Sequence, residues 1–294
     1  MDRYLLKSKE ACRTVELWSE TRLPFDLLTP ALKEMRDALR AAVRALAAAD
    51  GEVLRGVFAS TLKDPCDAEN ILFYNVGSSP FQRSSTNGVR FERTHTVPPA
   101  ADALGFVARS YHRYELVARD EAWQYWRRGS ALAVFSEAEV PRLTSETKVH
   151  QIWQTLSPVR RLRNAGIRTG TPFGIQLSIQ VPSRAPVNTT AIIKPLLDAA
   201  ISSCHVHDGS ALAVLAKRLG ELLGENPAAI AHRLMDDNNA VLGRRRLLSP
   251  RATGFQWNPA DDACVAASVD IVHTDRDTDG QWLLSGELVD IVAR

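Results

Sequence analysis

The stretch from Phe173 to Ser203 constrains the fold most. Ile175, Leu177 and Ile179 alternate with Gln176, Ser178 and Gln180, so every second side chain faces an apolar surface, the signature of an extended strand. Six residues on, TTAIIKPLLDAAISS carries apolar groups at helical spacing behind an Asn188 or Thr189 cap, with Pro195 in the first turn or at a kink. A chain that changes from period two to period 3.6 over so short a span belongs to neither an all-α nor an all-β fold.

The same change recurs along the chain. Residues 29–49 read as a helix behind a Thr-Pro start, and VLRGVFAST as a strand. A loop over 77–88 leads to VRFERTHTV, read as an edge strand, and a further helix is expected within 102–129 before the strand ALAVFS. The stretches ALAVLAKRLGELLG and PAAIAHRLMDD form a helical hairpin about Gly224-Glu225-Asn226, and CVAASVDIV and QWLLSGELVDIVA are closing strands around an acidic turn over 274–280. The expectation is an α+β protein made of two mixed α/β halves. Residues 1–145 form one half, 146–170 a basic linker, and 171–294 the other half, with a helical insertion at about 210–240.

Composition narrows the function classes. The 294 residues are 45% hydrophobic and 24% charged, enough apolar material for a core. A net charge of only +2 gives no global attraction to nucleic acid or membrane, so any basic surface is local. Cys12, Cys66, Cys204 and Cys264 form no C-x-x-C pair, and reduced thiols are expected. No apolar run reaches the roughly 18 residues of a bilayer crossing, and the N-terminus lacks the apolar core of a signal peptide. A cytoplasmic location and no membrane partner are therefore expected. Nucleophile-elbow, phosphate-loop and dinucleotide-binding motifs are absent.

One constellation stands out. The strand over 173–182 leads through a short loop to Asn188, Lys194 and Asp198, with Asp208 ten residues beyond and Asp261 and Asp262 just before CVAASVDIV. Over 170–272 this resembles the RusA family of Holliday junction resolvases, in which a strand leads into D-x-D-N-x-x-K-x-x-x-D and a later acidic pair. Lys194 and Asp198 keep the K-x-x-x-D spacing, whereas Asn188, Thr190 and Ala191 stand where the family has its Asp, Asp and Asn. The resemblance implies Mg²⁺ held by Asp198 with Asp208, or with Asp261 and Asp262, and Lys194 at the scissile phosphate. The N-terminal half carries a complementary fragment: Asp67-Ala68-Glu69-Asn70 gives D-x-E-N, followed by Phe73 and Gly77 where Lys and Asp belong. Two readings stand for this fragment, a cap or turn, or one of two related pseudo-repeats that imitate the family's homodimer within one chain.

Other signals are weaker. Arg160, Arg161 and Arg163, and Arg244, Arg245 and Arg246, are short basic runs that can grip phosphates or simply be solvated. Trp123, Tyr125 and Trp126 beside Arg127 and Arg128 suit base stacking or plain core packing. His205 and His207 can offer two imidazoles to a metal or be hydrogen-bonded histidines. The leading expectation is a nucleic-acid-associated protein with a RusA-like nuclease half that binds DNA or RNA and, if catalytic, cleaves it with a divalent metal. Its rival is a non-catalytic scaffold or subunit facing a protein partner.

Overall fold

The computed structural model describes residues 3–9, 13–62, 66–102, 104–163, 169–183, 185–275 and 281–294; Cys12 and most of the turn over 274–280 lie outside them. In chain order the elements are β1 (Tyr4–Lys9), β2 (Thr14–Ser19), α1 (Pro30–Arg44), β3 (Glu52–Ser60), β4 (Gly88–Thr94), β5 (Ser110–Ala118), β6 (Trp126–Val140), α2 (Val149–Val159), β7 (Arg160–Leu162), β8 (Phe173–Pro182) and α3 (Thr189–Ser203). There follow β9 (Val206–His207), α4 (Leu212–Leu223), α5 (Pro227–Met235), β10 (Arg244–Arg245), β11 (Leu248–Pro250), β12 (Phe255–Trp257), β13 (Cys264–Thr274) and β14 (Trp282–Ala293). The fold is α+β, and no helix among the described residues is long and apolar enough to cross a membrane.

Ten strands form one mixed sheet in the order β1-β2-β5-β3-β4-β13-β8-β14-β6-β7. At its middle β4 and β13 run antiparallel, with Gly88 opposite Asp270 and Glu92 opposite Ala266. Outward from that pair the order is β4, β3, β5, β2 on one side and β13, β8, β14, β6 on the other. The pairs β3–β4 and β8–β13 are parallel, and the remaining neighbours are antiparallel. Along the chain one side runs β2, α1, β3, a π-helical turn (Asn70–Tyr74), β4, β5, and the other β6, α2, β7, β8, α3, then the inserted β9, α4, α5, β10, β11 and β12, then β13, β14.

Local sequence accounts for the elements. In α1, Thr29 caps by accepting from the Leu32 N–H, Pro30 occupies the first turn, and Leu32, Met35, Leu39 and Val43 are buried along one stripe. In α4 and α5, Leu215, Leu219, Ile230 and Leu234 are buried, Gly224 (φ 66°) ends the first helix, and Asn226 caps the second. The helices cover one face of the sheet in a single core that includes Leu72, Trp153 and Leu196. On the opposite face, Trp18, Ala59 and Tyr111 pack with Val97 and Leu104, and Trp123 packs with Ala266 and Val289.

Four expectations change. The segment expected to hold a helix within 102–129 is instead β5 and the start of β6: Tyr111 and Tyr114 are buried, and Glu115 beside them pairs with Arg55 of the neighbouring strand β3. The expected edge strand β4 is central, flanked by β3 and β13. Residues 146–170 are not a plain linker, because they hold α2, which buries Ile152, Trp153 and Leu156, and β7; residues 164–168 lie outside the described set. β6, placed by sequence in the first half, pairs with β14. Pro195 sits inside α3.

Candidate active site

The sheet register decides which loops meet. Because β3 is parallel to β4 and β4 is antiparallel to β13, the loop leaving β3 and the segment entering β13 arrive at the same end of the sheet. The first carries Asp67, Glu69 and Asn70, and the second a single turn over Asp261–Ala263. Helix α3 begins at the other end, where β8 stops, and runs back across the helical face, so that Lys194 and Asp198, one turn apart, arrive beside them.

Four carboxylates converge on the Lys194 ammonium. Its Nζ lies 2.9 Å from Asp198 Oδ1, 3.1 Å from Asp67 Oδ2, 3.2 Å from Asp261 Oδ2 and 3.6 Å from Glu69 Oε2. Asn70 donates from Nδ2 to Asp67 Oδ2 at 2.6 Å, while its Oδ1 is buried with no hydrogen-bond partner among the described residues. Glu69 is 3% and Asp198 8% exposed, so charge here is poorly solvated. Burial, together with the neighbouring carboxylates, lifts Asp67 from 3.8 to about 7 and Asp198 to about 6, although Lys194 pulls both down. Burial and the Asp67 charge also raise Glu69 well above its ordinary value. Burial alone would lower Lys194, but the surrounding acids hold its pKa above the usual lysine value.

A basic groove adjoins the cluster. Arg93, Arg244, Arg245 and Arg246 line a depression of ≈ 780 Å³ with Asn258 and Asp262, and Arg245, Asn258 and Asp262 also line the depression over Lys194, Asp198 and Asp261. Arg245 and the exposed Asp262 therefore border both depressions. Arg244 is tied to Asp237, and Arg93 donates to the Cys66 carbonyl.

Several sequence candidates fall elsewhere. Asp208 accepts from the Ser210 N–H and hydroxyl, which hold its carboxyl below the usual range; none of its bonds among the described residues reaches Lys194. Arg160, Arg161 and Arg163 do not line the groove: Arg160 and Arg161 belong to β7, at the sheet edge against β6, and Arg163 follows it. Both histidines are committed to backbone. His205 Nδ1 donates to Gly243 O (3.1 Å) and Nε2 accepts from Ala260 N, while His207 Nε2 donates to Leu248 O (3.2 Å) and Nδ1 accepts from Gly209 N. Neither ring retains a free nitrogen for a metal. Trp126 Nε1 donates to Arg93 O, and Arg128 pairs with Glu287, so the aromatic-basic stretch is packing. Asp67 and Glu69 are the residues a reading confined to the C-terminal half omits; their signal is the D-x-E-N fragment, which supplies the acids that the K-x-x-x-D fragment lacks.

The donor atoms of the cluster can be compared with what a hard divalent cation takes. All its donors are oxygens, as Mg²⁺ prefers, four carboxylates face one ammonium, and the Asn70 Oδ1 is an orphaned buried acceptor at its edge. Among the described residues no three His, Cys, Asp or Glu groups are already set as a metal-binding group; Lys194 is the cation between them. No protein-family model matches the chain, and no curated protein matches it either.

Proposed function

We propose that the chain is a divalent-metal-dependent nuclease acting on DNA through one composite site. The observation that carries this reading is the convergence of D-x-E-N from one half and K-x-x-x-D from the other on a single point, beside an arginine-lined groove. Taken together, the two fragments restore the residue types of the resembled motif, with Glu69 in place of its second Asp. They belong to topologically matching halves, which favours the reading of the halves as related pseudo-repeats.

Asp67, Glu69, Asp198 and Asp261, with the Asn70 carbonyl oxygen, would hold Mg²⁺. When bound, the ion supplies Lewis acidity at the phosphate and lowers the pKa of water. The chain's own groups do the rest. Lys194 presents an ammonium to a non-bridging phosphate oxygen and offsets the charge that develops there. Arg245 and Arg246 bind flanking phosphates through guanidinium forks and fix the register of the strand. Burial of Glu69 and Asp198 keeps bulk water from weakening these interactions.

The test is cleavage of branched, duplex and single-stranded DNA with Mg²⁺ or Mn²⁺, run across a salt series. Salt-sensitive binding is expected, with cutting abolished in Asp198→Asn. Removing Arg246 is expected to weaken binding uniformly across sequences and to reduce the salt slope by about 0.9. Binding without cutting in either metal would leave a non-catalytic recogniser. Absence of binding would leave the scaffold.

A further inference from the structure

The matching connectivity about the β4–β13 pair creates two positions in equivalent surroundings. Each lies where a loop leaving an inner strand meets the other half's helical segment and the chain entering the opposite central strand. At the first, the loop after β3, helix α3 and the entry to β13 supply the cluster around Lys194. At the second, the loop after β8, the π-helical turn and the entry to β4 supply Asn188 and Thr190, Phe73 and Gly77, and Ser84 and Ser85.

The second position is closed by neutral bonds. Asn188 Oδ1 accepts from Ser85 Oγ at 3.1 Å and from Thr190 Oγ1 at 2.7 Å, Asn188 Nδ2 donates to Ser78 O, and Thr189 Oγ1 donates to Ser85 O at 2.6 Å. The residues lining the shallow depression beside it include Gln82 and Arg142 but no carboxylate. Phe73, at the place of the lysine, is fully buried, its ring 5.5 Å from that of Phe81 and 6.3 Å from that of Phe91. Gly77, at the place of the aspartate, has φ 91°, and a Cβ there would meet Arg40 Nη2 at 3.2 Å. Restoring this position would take a cation in an aromatic core and a side chain on left-handed backbone.

We infer that the chain makes one incision per encounter with DNA, nicking a single strand, where a symmetric pair of sites would cut two strands in concert. The inference rests on the nuclease reading. In each event one water adds across one phosphorus–oxygen bond. One strand end keeps the phosphate, the leaving oxygen takes a proton to become a hydroxyl, and the other proton passes to solvent.

The experiment uses the full chain, at a concentration below that of a supercoiled plasmid carrying an extruded cruciform, with Mg²⁺ and, in parallel, Mn²⁺. Nicked circles are expected to accumulate first, with linear DNA arising only later from independent second hits. Asp67→Asn and Asp198→Asn, in different halves, are each expected to reduce all nicking by about 100-fold or more, whereas Asn188→Ala and Gln82→Ala keep the nicking rate within about twofold of the wild type. Linear DNA as the first product overturns the single-incision inference and leaves the nuclease reading standing. So does loss of cutting in Gln82→Ala, or in an Asn188→Ala protein with an unchanged circular dichroism spectrum. No cutting in either metal removes the nuclease reading, and the inference with it.

Discussion

Lys194 reaches across 127 residues to Asp67 and 67 to Asp261, contacts that no spacing rule along the chain exposes. Asp198, one helical turn away, is the only partner that sequence pairs with it directly. Asp208 followed the local pattern just as well, yet its carboxylate turns to Ser210 two residues on, a habit of Asp in loops. Burial distinguishes the two aspartates, and burial of a single polar side chain is a tertiary property. Removing the ammonium leaves buried carboxylates uncompensated, so Lys194→Met in EDTA is expected to lose about 3 kcal/mol of stability and to regain more from added Mn²⁺ than the wild type does. Chemical denaturation with and without Mn²⁺ checks both; an unchanged midpoint in EDTA would contradict the electrostatic account. His112 gives the pH signature of the core. Burial pushes it down from 6.5 to about 4, and its Nε2 has no partner among the described residues. Below pH 6.5 the unfolded chain takes up a proton that the folded chain refuses, so this contribution is whole above 6.5 and lost as pH falls toward 4. Against His112→Gln, the wild type is expected to lose roughly 3 kcal/mol more over that interval; parallel pH curves for the two proteins would refute it.

At the scale of elements, periodicity revealed those with one apolar face. Helix α1 and strand β8 stand where alternation and capping put them, because each shows a single stripe or face to the core. The segment now divided between β5 and β6 misled because its charges look like a solvated helix face, whereas Arg55 and Glu115 form a buried ion pair between β3 and β5, to which the exposed Glu121 adds a second carboxylate. The central place of β4 was equally hidden. Its first residue, Gly88, lies so close to β13 that a Cβ would come within 2.4 Å of the Val269 carbonyl oxygen, and Gly88→Val is expected to destabilise by more than about 2 kcal/mol. Helix α2, read as linker because of its basic flank, buries Leu156 completely. Leu156→Ala is expected to cost about 3 kcal/mol, measured by urea denaturation, while a true linker residue would lose less than about 0.5.

The whole molecule joins its halves through backbone. The β4–β13 ladder crosses the middle of the sheet, and the ion pairs of Lys194 link the loop after β3 to α3. Fluorescence from Trp18 and Trp123 on one face and Trp153 in the helical core is expected to change in one denaturant transition coincident with circular dichroism; two separated transitions would mean that the halves unfold independently. Sequence supplied the α+β class and both motif fragments. It did not show that the fragments meet, because their meeting depends on which strands lie at the centre of the sheet. The most direct measurement of that meeting is Mn²⁺ binding by titration calorimetry to the wild type, Asp67→Asn and Asp198→Asn. Binding by the wild type and its loss in both variants is the expected result; a wild type that takes up no Mn²⁺, or a variant that binds it undiminished, would contradict the composite site.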